Sequence, residues 1–318
     1  MGAVFASKPL LFEQNPVQNK RIFFCFGAIF LFFEGKIAPF SFPKGAFFAQ
    51  KRGRNLAKTG EIRYNRSRKH AKKEQKTMRL LIIRHGDPDY EHDSLTPKGF
   101  SEVSFLAERL KDEPIDEIFC SPLGRAQATA APTLQARRQS AQTCDWLREF
   151  EGHPVAPEEP SPVYSWDRTP AFLAKNDDYY SVDRWLSTPF YASGNVAKEA
   201  GRVWQGLDEI LLAHGYRRDG HFYRVERESH ETLAFFCHFG VECVMLSHLL
   251  NIAAPALWHG FVALPSSVTT LFTEEREAGQ ALWRCTGFGD LSHLYAHKEP
   301  PSFQARFCEA YSDFDQRH

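Results

Sequence analysis

The alternation of short apolar runs with longer amphipathic stretches predicts an α/β fold from residue 78 onward. One charged residue and four aliphatic residues at 79–83 are typical of a buried strand, which ends at Arg84-His85-Gly86. Apolar residues at helical spacing then predict an amphipathic helix over residues 96–111, which begins with the N-cap and first-turn pair Thr96-Pro97.

Further elements follow along the chain at the spacing of βαβ units. We predict strands over 115–120, 143–147 and 231–237, helices over 127–138 and after 238, and two last strands over 267–272 and 281–287, interpreted as a hairpin at the sheet's edge. A loop rich in proline and acidic residues precedes helical spacing over 171–216. We interpret about residues 153–228 as a helical insertion.

The first 77 residues differ in composition from the rest of the chain. They hold 16 Lys and Arg against 4 Asp and Glu, and 12 of the 28 Phe. Three interpretations are open: a signal-peptide core at 22–33, a basic arm for membrane or nucleic acid, or an extension upstream of a true start at Met78. We favour the third, and expect 1–77 to be disordered or poorly packed, 78–300 to form the main domain and 301–318 a tail.

The seven cysteines show neither a C-x-x-C pair nor the Cys/His spacing of a zinc site. Reduced thiols in a cytoplasmic protein are the plain interpretation, and we expect no metal and no other cofactor.

Polar residues stand where the predicted strands end, which is where open α/β sheets bind their ligands. They are Arg84, His85, Arg125, Glu149 and His238. Two arginines can neutralise and orient a phosphomonoester, and a neutral imidazole can attack its phosphorus. A carboxylic acid can protonate the leaving alkoxide, and a second histidine can bind the oxygens of the transition state. The set suits phosphoryl transfer without a metal.

The motifs around these residues resemble those of the histidine phosphatase superfamily, also called phosphoglycerate mutase-like. The five segments are Arg84-His85-Gly86, Leu95-Thr-Pro-Lys-Gly99, Ser121-Pro-Leu-Gly-Arg-Ala-Gln-Ala-Thr-Ala130, Leu147-Arg-Glu149 and Phe235-Phe-Cys-His238, of which the third is the most specific. The resemblance implies a three-layer α/β/α sandwich on a mostly parallel sheet. It also implies His85 as the nucleophile, Glu149 as the proton donor, and Arg84, Arg125 and His238 as phosphate-binding residues, with His238 part of the catalytic set.

Two positions depart from this pattern or leave it open. The family usually has glycine directly after the second histidine, whereas Phe239 precedes Gly240 here. Glu151 is a rival to Glu149, because Glu151-Gly152 also has a family counterpart, although the spacing favours Glu149.

We expect hydrolysis of a small phosphomonoester through a phosphohistidine. Phosphoglycerate mutase-type transfer is an alternative that Asp87-Pro-Asp-Tyr90 and Arg148-Glu-Phe-Glu-Gly152 disfavour, and a non-catalytic phospholigand-binding protein is another. We expect no nucleic-acid partner and no membrane contact by the main domain, and leave the oligomeric state open. Tyr164, Trp166 and Trp185 are interpreted as an apolar lid suited to a bulky or aromatic leaving group.

Overall fold

The computed structural model describes the backbone of residues 21–25, 28–33 and 36–39, and describes residues 77–156, 163–304 and 310–313 in full. The chain divides into two compact units, Met1–Arg68 and Lys69–His318. In the first unit, strands β1 (Arg21–Cys25), β2 (Ala28–Phe33) and β3 (Lys36–Pro39) form an antiparallel sheet in that order. The expectation of disorder over 1–77 otherwise falls on residues outside those described.

The second unit contains ten strands and seven helices among its described residues. The strands are β4 (Arg79–Arg84), β5 (Pro88–Asp89), β6 (Ser94–Leu95), β7 (Glu117–Cys120), β8 (Gln142–Thr143), β9 (Tyr216–Asp219), β10 (Phe222–Val225), β11 (Thr232–Cys237), β12 (Val268–Glu277) and β13 (Gln280–Asp290). The helices are α1 (Pro97–Leu110), α2 (Gly124–Arg137), α3 (Pro170–Leu173), α4 (Val196–Ala213), α5 (Phe239–Leu250), α6 (Ala254–Gly260) and α7 (Ser292–Ala296). None of these helices is both long and apolar enough to cross a membrane.

Eight of these strands form one sheet in the order β8-β7-β11-β4-β12-β13-β10-β9. The first four are parallel neighbours, and each later strand is antiparallel to the one before it. Six of the eight strands therefore run in one direction, with β12 and β10 opposed to them. The mostly parallel sheet that we predicted is confirmed.

The side chains of β4 are buried on both faces of the sheet, because helices cover each face. Leu81 and Ile83 belong to one apolar cluster with residues of α1 and α2. Leu80 and Ile82 belong to a second cluster with residues of α4, α5 and α6. Two helical layers around one sheet confirm the three-layer α/β/α sandwich.

The predicted strand over 143–147 is wrong from residue 144 onward. β8 includes only Gln142–Thr143 and is followed by a 3-10 turn, Asp145–Leu147. The ring of Trp146 packs on α4 so closely that a Cβ on Gly206 would lie 2.4 Å from it. This contact holds the chain against the helical layer, so the strand does not continue along the sheet.

The hairpin of β12 and β13 was predicted correctly as a hairpin, but its position at the edge is wrong. β12 pairs with the central β4, and β13 pairs with β10, so that β9 is the edge strand. β9 and β10 form their own hairpin around Gly220, whose φ of 59° suits a tight two-residue turn. The helical insertion that we predicted over about residues 153–228 therefore ends in a β-hairpin, because the helical spacing stops just before it.

Candidate active site

The neighbouring parallel strands β7, β11 and β4 end at the same edge of the sheet, and the predicted site residues gather there. His85 follows β4 and His238 follows β11, and their ring centroids are 5.1 Å apart. Arg84 lies opposite Cys237 in the ladder between these two strands. Parallel pairing thus brings together residues that are more than 150 positions apart, at the edge where α/β sheets carry their ligand sites.

His85 is buried, and its hydrogen bonds determine which ring nitrogen is free. Nδ1 lies 2.8 Å from the carbonyl oxygen of Gly86. A carbonyl can only accept, so Nδ1 carries the hydrogen and Nε2 keeps a lone pair. Burial, followed by the charges of Arg84 and Arg125, holds the pKa of His85 well below its usual value. The ring is therefore neutral near pH 7, with Nε2 available as a nucleophile.

The loop after His85 is held in place by close contacts with α1. A Cβ on Gly86 would lie 2.9 Å from Cγ1 of Val103, and a Cβ on Gly99 would lie 2.3 Å from the carbonyl oxygen of Asp87. The Asp87 carboxylate accepts hydrogen bonds from the hydroxyls of Thr96 and Ser302. The glycines of two sequence motifs are thus required so that the helix and the loop can approach each other.

Arg84 and Arg125 both offer buried donors to this site. One terminal nitrogen of Arg84 donates to the carbonyl of Ala263, and one of Arg125 donates to Asp93 Oδ1 at 2.7 Å. The Nε atoms of both arginines are buried and have no hydrogen-bond partner in the described part of the chain. Buried donors normally find an acceptor, so these groups suit an anion with several oxygens.

Glu149 sits where the 3-10 turn after β8 meets the start of α5. Its Oε1 accepts hydrogen bonds from the backbone N–H groups of Phe150 at 2.7 Å and Val241 at 3.1 Å. A Cβ on Gly240 would lie 2.6 Å from this oxygen, so the glycine makes room for the carboxyl group. Burial raises the pKa of Glu149, although these donors and the charge of Arg84 act against that rise.

Glu151, the rival candidate, lies elsewhere. Its carboxylate is about half exposed and forms a 3.7 Å ion pair with Arg148. Glu149, by contrast, is close enough to Arg84 for its charge to raise the pKa of that arginine. The geometry therefore favours Glu149 as the carboxyl group of the site.

His238 is fully buried and is the N-cap residue of α5. Its Nε2 lies 2.8 Å from the hydroxyl of Ser121, and its Nδ1 has no hydrogen-bond partner in the described residues. Burial, followed by the nearby His85 and the two arginines, holds the pKa of His238 well below its usual value. Phe239 takes the place of the expected glycine, and its ring lies 5.7 Å from the guanidinium carbon of Arg84.

Sequence reasoning missed three residues that shape the site. Ser121 orients His238, and its place at the start of a recognised motif was a usable signal. Asp93 binds Arg125 and also accepts from the Gly124 N–H at 2.6 Å, but no spacing in the sequence relates these positions. Tyr90 places its ring 5.5 Å from the guanidinium carbon of Arg125. Within the described residues, no three His, Cys, Asp or Glu side chains cluster as metal ligands would.

Comparison with known proteins gives a match to a family model and a curated relative. Residues 80–175 match the model of the histidine phosphatase superfamily, branch 1. The adenosylcobalamin/alpha-ribazole phosphatase of Escherichia coli K12 is 24% identical over 200 residues, which cover 57% of this chain and 84% of that protein.

Solved structures of phosphatases resemble this one as well. A phosphoserine phosphatase mutant from Entamoeba histolytica is 20% identical with a TM-score of 0.45, over 68% of this chain and 99% of that one. A mycobacterial glucosyl-3-phosphoglycerate phosphatase is 18% identical with a TM-score of 0.47, over 67% and 99% of the two chains.

Proposed function

Because residues 80–175 match the model of the histidine phosphatase superfamily, we propose that this protein hydrolyses a small phosphomonoester through a phosphohistidine on His85. The observation that carries the proposal is the bond from Nδ1 of His85 to the Gly86 carbonyl, which leaves Nε2 with a lone pair on a ring that feels the charges of Arg84 and Arg125. A neutral imidazole fixed in this tautomer is a nucleophile that needs no separate base.

In the first half-reaction, Nε2 of His85 attacks phosphorus in line with the ester oxygen. The N–P bond forms as the P–O bond to the alcohol breaks. Arg84 and Arg125 donate to the phosphoryl oxygens and balance their charge, and His238 donates to a further oxygen. Glu149 begins as a carboxylic acid and gives its proton to the leaving alkoxide, which is consistent with a raised pKa.

In the second half-reaction, a water molecule attacks the phosphohistidine. Glu149, now a carboxylate, takes one proton from this water as the O–P bond forms. The N–P bond breaks, inorganic phosphate leaves, and His85 returns to its neutral form with Glu149 protonated again. Side chains of the chain itself carry every charge and proton in this scheme.

The test is hydrolysis of p-nitrophenyl phosphate by the full-length chain in the presence of EDTA. We expect turnover in the wild type and a loss of about a thousandfold or more in His85→Ala, as is usual when a nucleophile is removed. His230→Ala is the matched control, because His230 is an exposed histidine on the loop before β11. Quenching into alkali with radiolabelled substrate should trap a base-stable phosphoenzyme in the wild type and not in His85→Ala.

Two results would contradict the proposal. Undiminished turnover by folded His85→Ala would exclude a phosphohistidine intermediate on His85. No phosphate release by the folded wild type from any phosphomonoester of a broad panel would favour the non-catalytic binding protein that the sequence left as an alternative.

A further inference from the structure

Aromatic side chains border the two arginines of the site. The ring of Phe239 lies 5.7 Å from the guanidinium carbon of Arg84, and the ring of Tyr90 lies 5.5 Å from that of Arg125. Tyr90 also acts electrostatically on Arg84, so its hydroxyl end lies near both arginines. Tyr90 is 62% exposed, and Phe239 is partly exposed. Both rings thus keep surface available beside the phosphate-binding groups.

A third aromatic ring borders the carboxyl group. Cζ3 of Trp166 would lie 2.9 Å from a Cβ on Gly240, and Oε1 of Glu149 would lie 2.6 Å from the same point. The indole edge is therefore a close neighbour of the carboxyl group that protonates the leaving oxygen. An alcohol whose oxygen takes a proton from this carboxyl group would therefore lie near Trp166.

Two hydrogen bonds to Ser165 hold the segment that carries the ring of Trp166. Tyr164 and Trp166 pair with ring centroids 5.3 Å apart, while Ser165 between them is buried. The Ser165 hydroxyl donates to the Gly152 carbonyl at 2.6 Å, and the Tyr191 hydroxyl donates to the Ser165 carbonyl at 3.1 Å. The two rings are thus fixed in position before any ligand binds.

One residue of the expected lid is not part of this surface. Trp185 is 1% exposed and packs edge-on against Tyr191 and Trp258, so it belongs to the core. Trp258 in turn lies 6.5 Å from Trp166 and backs it from the inner side. The core rings therefore support the exposed ones rather than cover the site.

We propose that Tyr90, Tyr164, Trp166 and Phe239 form a leaving-group subsite for an alcohol that carries an uncharged planar ring. The proposal rests on the proposed phosphatase function, because the leaving group is defined by the oxygen that Glu149 protonates. Rings of this kind offer flat faces and edges to another ring.

The charge at this rim favours an uncharged alcohol. Asp93 is partly exposed, and its carboxylate already pairs with Arg125. A carboxylate on the alcohol, as in serine or glycerate, would have to compete with Asp93 for this arginine. The subsite therefore selects by shape and by charge together.

The test compares phosphate esters whose leaving alkoxides are similar in basicity, so that chemistry does not mask recognition. Benzyl phosphate and cyclohexylmethyl phosphate are close in size, but only the first has a planar ring. We expect the full-length chain to favour benzyl phosphate in kcat/KM by about 2- to 10-fold, the range of one aromatic pair. O-phosphoserine should be the poorest of the three substrates.

Substitutions in the subsite test whether its aromatic side chains cause the preference for benzyl phosphate. Trp166→Leu should reduce the preference for the planar ring to near unity while phosphate inhibition stays unchanged, and Tyr90→Leu should also reduce this preference to near unity. Tyr295→Leu is the matched control for Tyr90→Leu, because Tyr295 is 65% exposed on α7 and should keep the preference. If Trp166→Leu unfolds, the exposed Tyr90 carries the test alone.

Binding of non-hydrolysable phosphonates separates this proposal from the proposed function. Calorimetry with 2-phenylethylphosphonate and 2-cyclohexylethylphosphonate should show the same preference as the esters. Tighter binding of the planar phosphonate without any hydrolysis would support the subsite and contradict the phosphatase. Hydrolysis of the three esters with equal kcat/KM, or a preference that survives both variants, would overturn the subsite and leave the phosphatase intact.

Discussion

Gly240→Ala should damage the site more than it damages the fold. Gly240 is in the first turn of α5, where a change from glycine to alanine would ordinarily add up to about 1 kcal/mol of stability. Here the new Cβ would lie 2.6 Å from Oε1 of Glu149, 2.9 Å from Cζ3 of Trp166 and 3.2 Å from Cβ of Phe150. Atoms in contact without bonding stay about 3.5 Å apart, so the carboxyl group has to retreat by roughly 1 Å.

This retreat determines the expected magnitudes. It breaks the bonds of 2.7 and 3.1 Å that Oε1 accepts from the backbone of Phe150 and Val241. Crowding in a packed interior costs about 1–3 kcal/mol. Part of this is offset by the helix preference of alanine and by the flexible end of the Glu149 side chain. We expect a net loss of about 1 kcal/mol, or a drop in Tm of about 2–4 °C. A misplacement of this size at a catalytic group lowers turnover by about 100-fold.

The assay pairs thermal unfolding with kcat/KM on benzyl phosphate, whose alkoxide needs the proton of Glu149. Gly201→Ala is the matched control, because Gly201 is a helical residue of α4 around which a Cβ would meet nothing within 4 Å. It should gain about 0.5–1 kcal/mol and keep full activity. The reasoning is refuted if Gly240→Ala keeps kcat/KM within about threefold of the wild type while Gly201→Ala behaves as expected.

Three further predictions concern charged groups. Only the acid form of Glu149 can protonate the alkoxide, so kcat/KM on benzyl phosphate should fall as pH rises through the raised pKa of Glu149. Glu149→Gln should lose this pH dependence and about 10²–10⁴ in rate, with a smaller loss of rate on p-nitrophenyl phosphate. Asparagine tolerates the φ of 46° at position 93, so Asp93→Asn should keep the backbone while it removes the carboxylate that binds Arg125. Inorganic phosphate, which no longer competes with Asp93 for Arg125, should inhibit this variant several-fold more tightly than the wild type. Equal inhibition would contradict the prediction. Burial raises the pKa of Glu242 from 4.5 to about 7, so its stabilising effect is complete below pH 4.5 and is lost as pH rises through 7. Through this group, the free energy of unfolding of the wild type, measured with urea, should fall by about 3 kcal/mol between pH 4.5 and pH 8. Glu242→Gln should lack this contribution, and parallel pH profiles of the two proteins would contradict the prediction.

The parts of the fold that were predictable from the sequence have a local cause. β4 and β11 are buried on both faces, so they appear as continuous apolar runs, and α1 has a one-sided apolar pattern with a capping Thr96. His85 and His238 could be paired in advance because parallel strands end at one edge of the sheet. The resemblance to this superfamily that the motifs carry is supported by the match of residues 80–175 to the superfamily model.

The parts that escaped prediction depend on contacts between distant positions. The turn after β8 follows from the packing of Trp146 on Gly206, and the assignment of Trp185 to the core depends on rings from other segments. The bond between Ser121 and His238 joins residues 117 positions apart. Periodicity reports which side of an element is buried, but it does not report which element covers that side.

The position of Glu149 suits the two opposite proton transfers of the proposed mechanism. In that mechanism the first half-reaction needs the acid form, and the second needs the carboxylate. Burial favours the acid, whereas the N–H groups of Phe150 and Val241 and the charge of Arg84 favour the carboxylate. A carboxyl group governed by burial alone would give up its proton too reluctantly, and a fully exposed carboxyl group would already have lost its proton at neutral pH. At the start of α5, Gly240 leaves room for the buried carboxyl group of Glu149, and the N–H of Val241 donates to it. Burial and a donor that favours the carboxylate thus act on the same group.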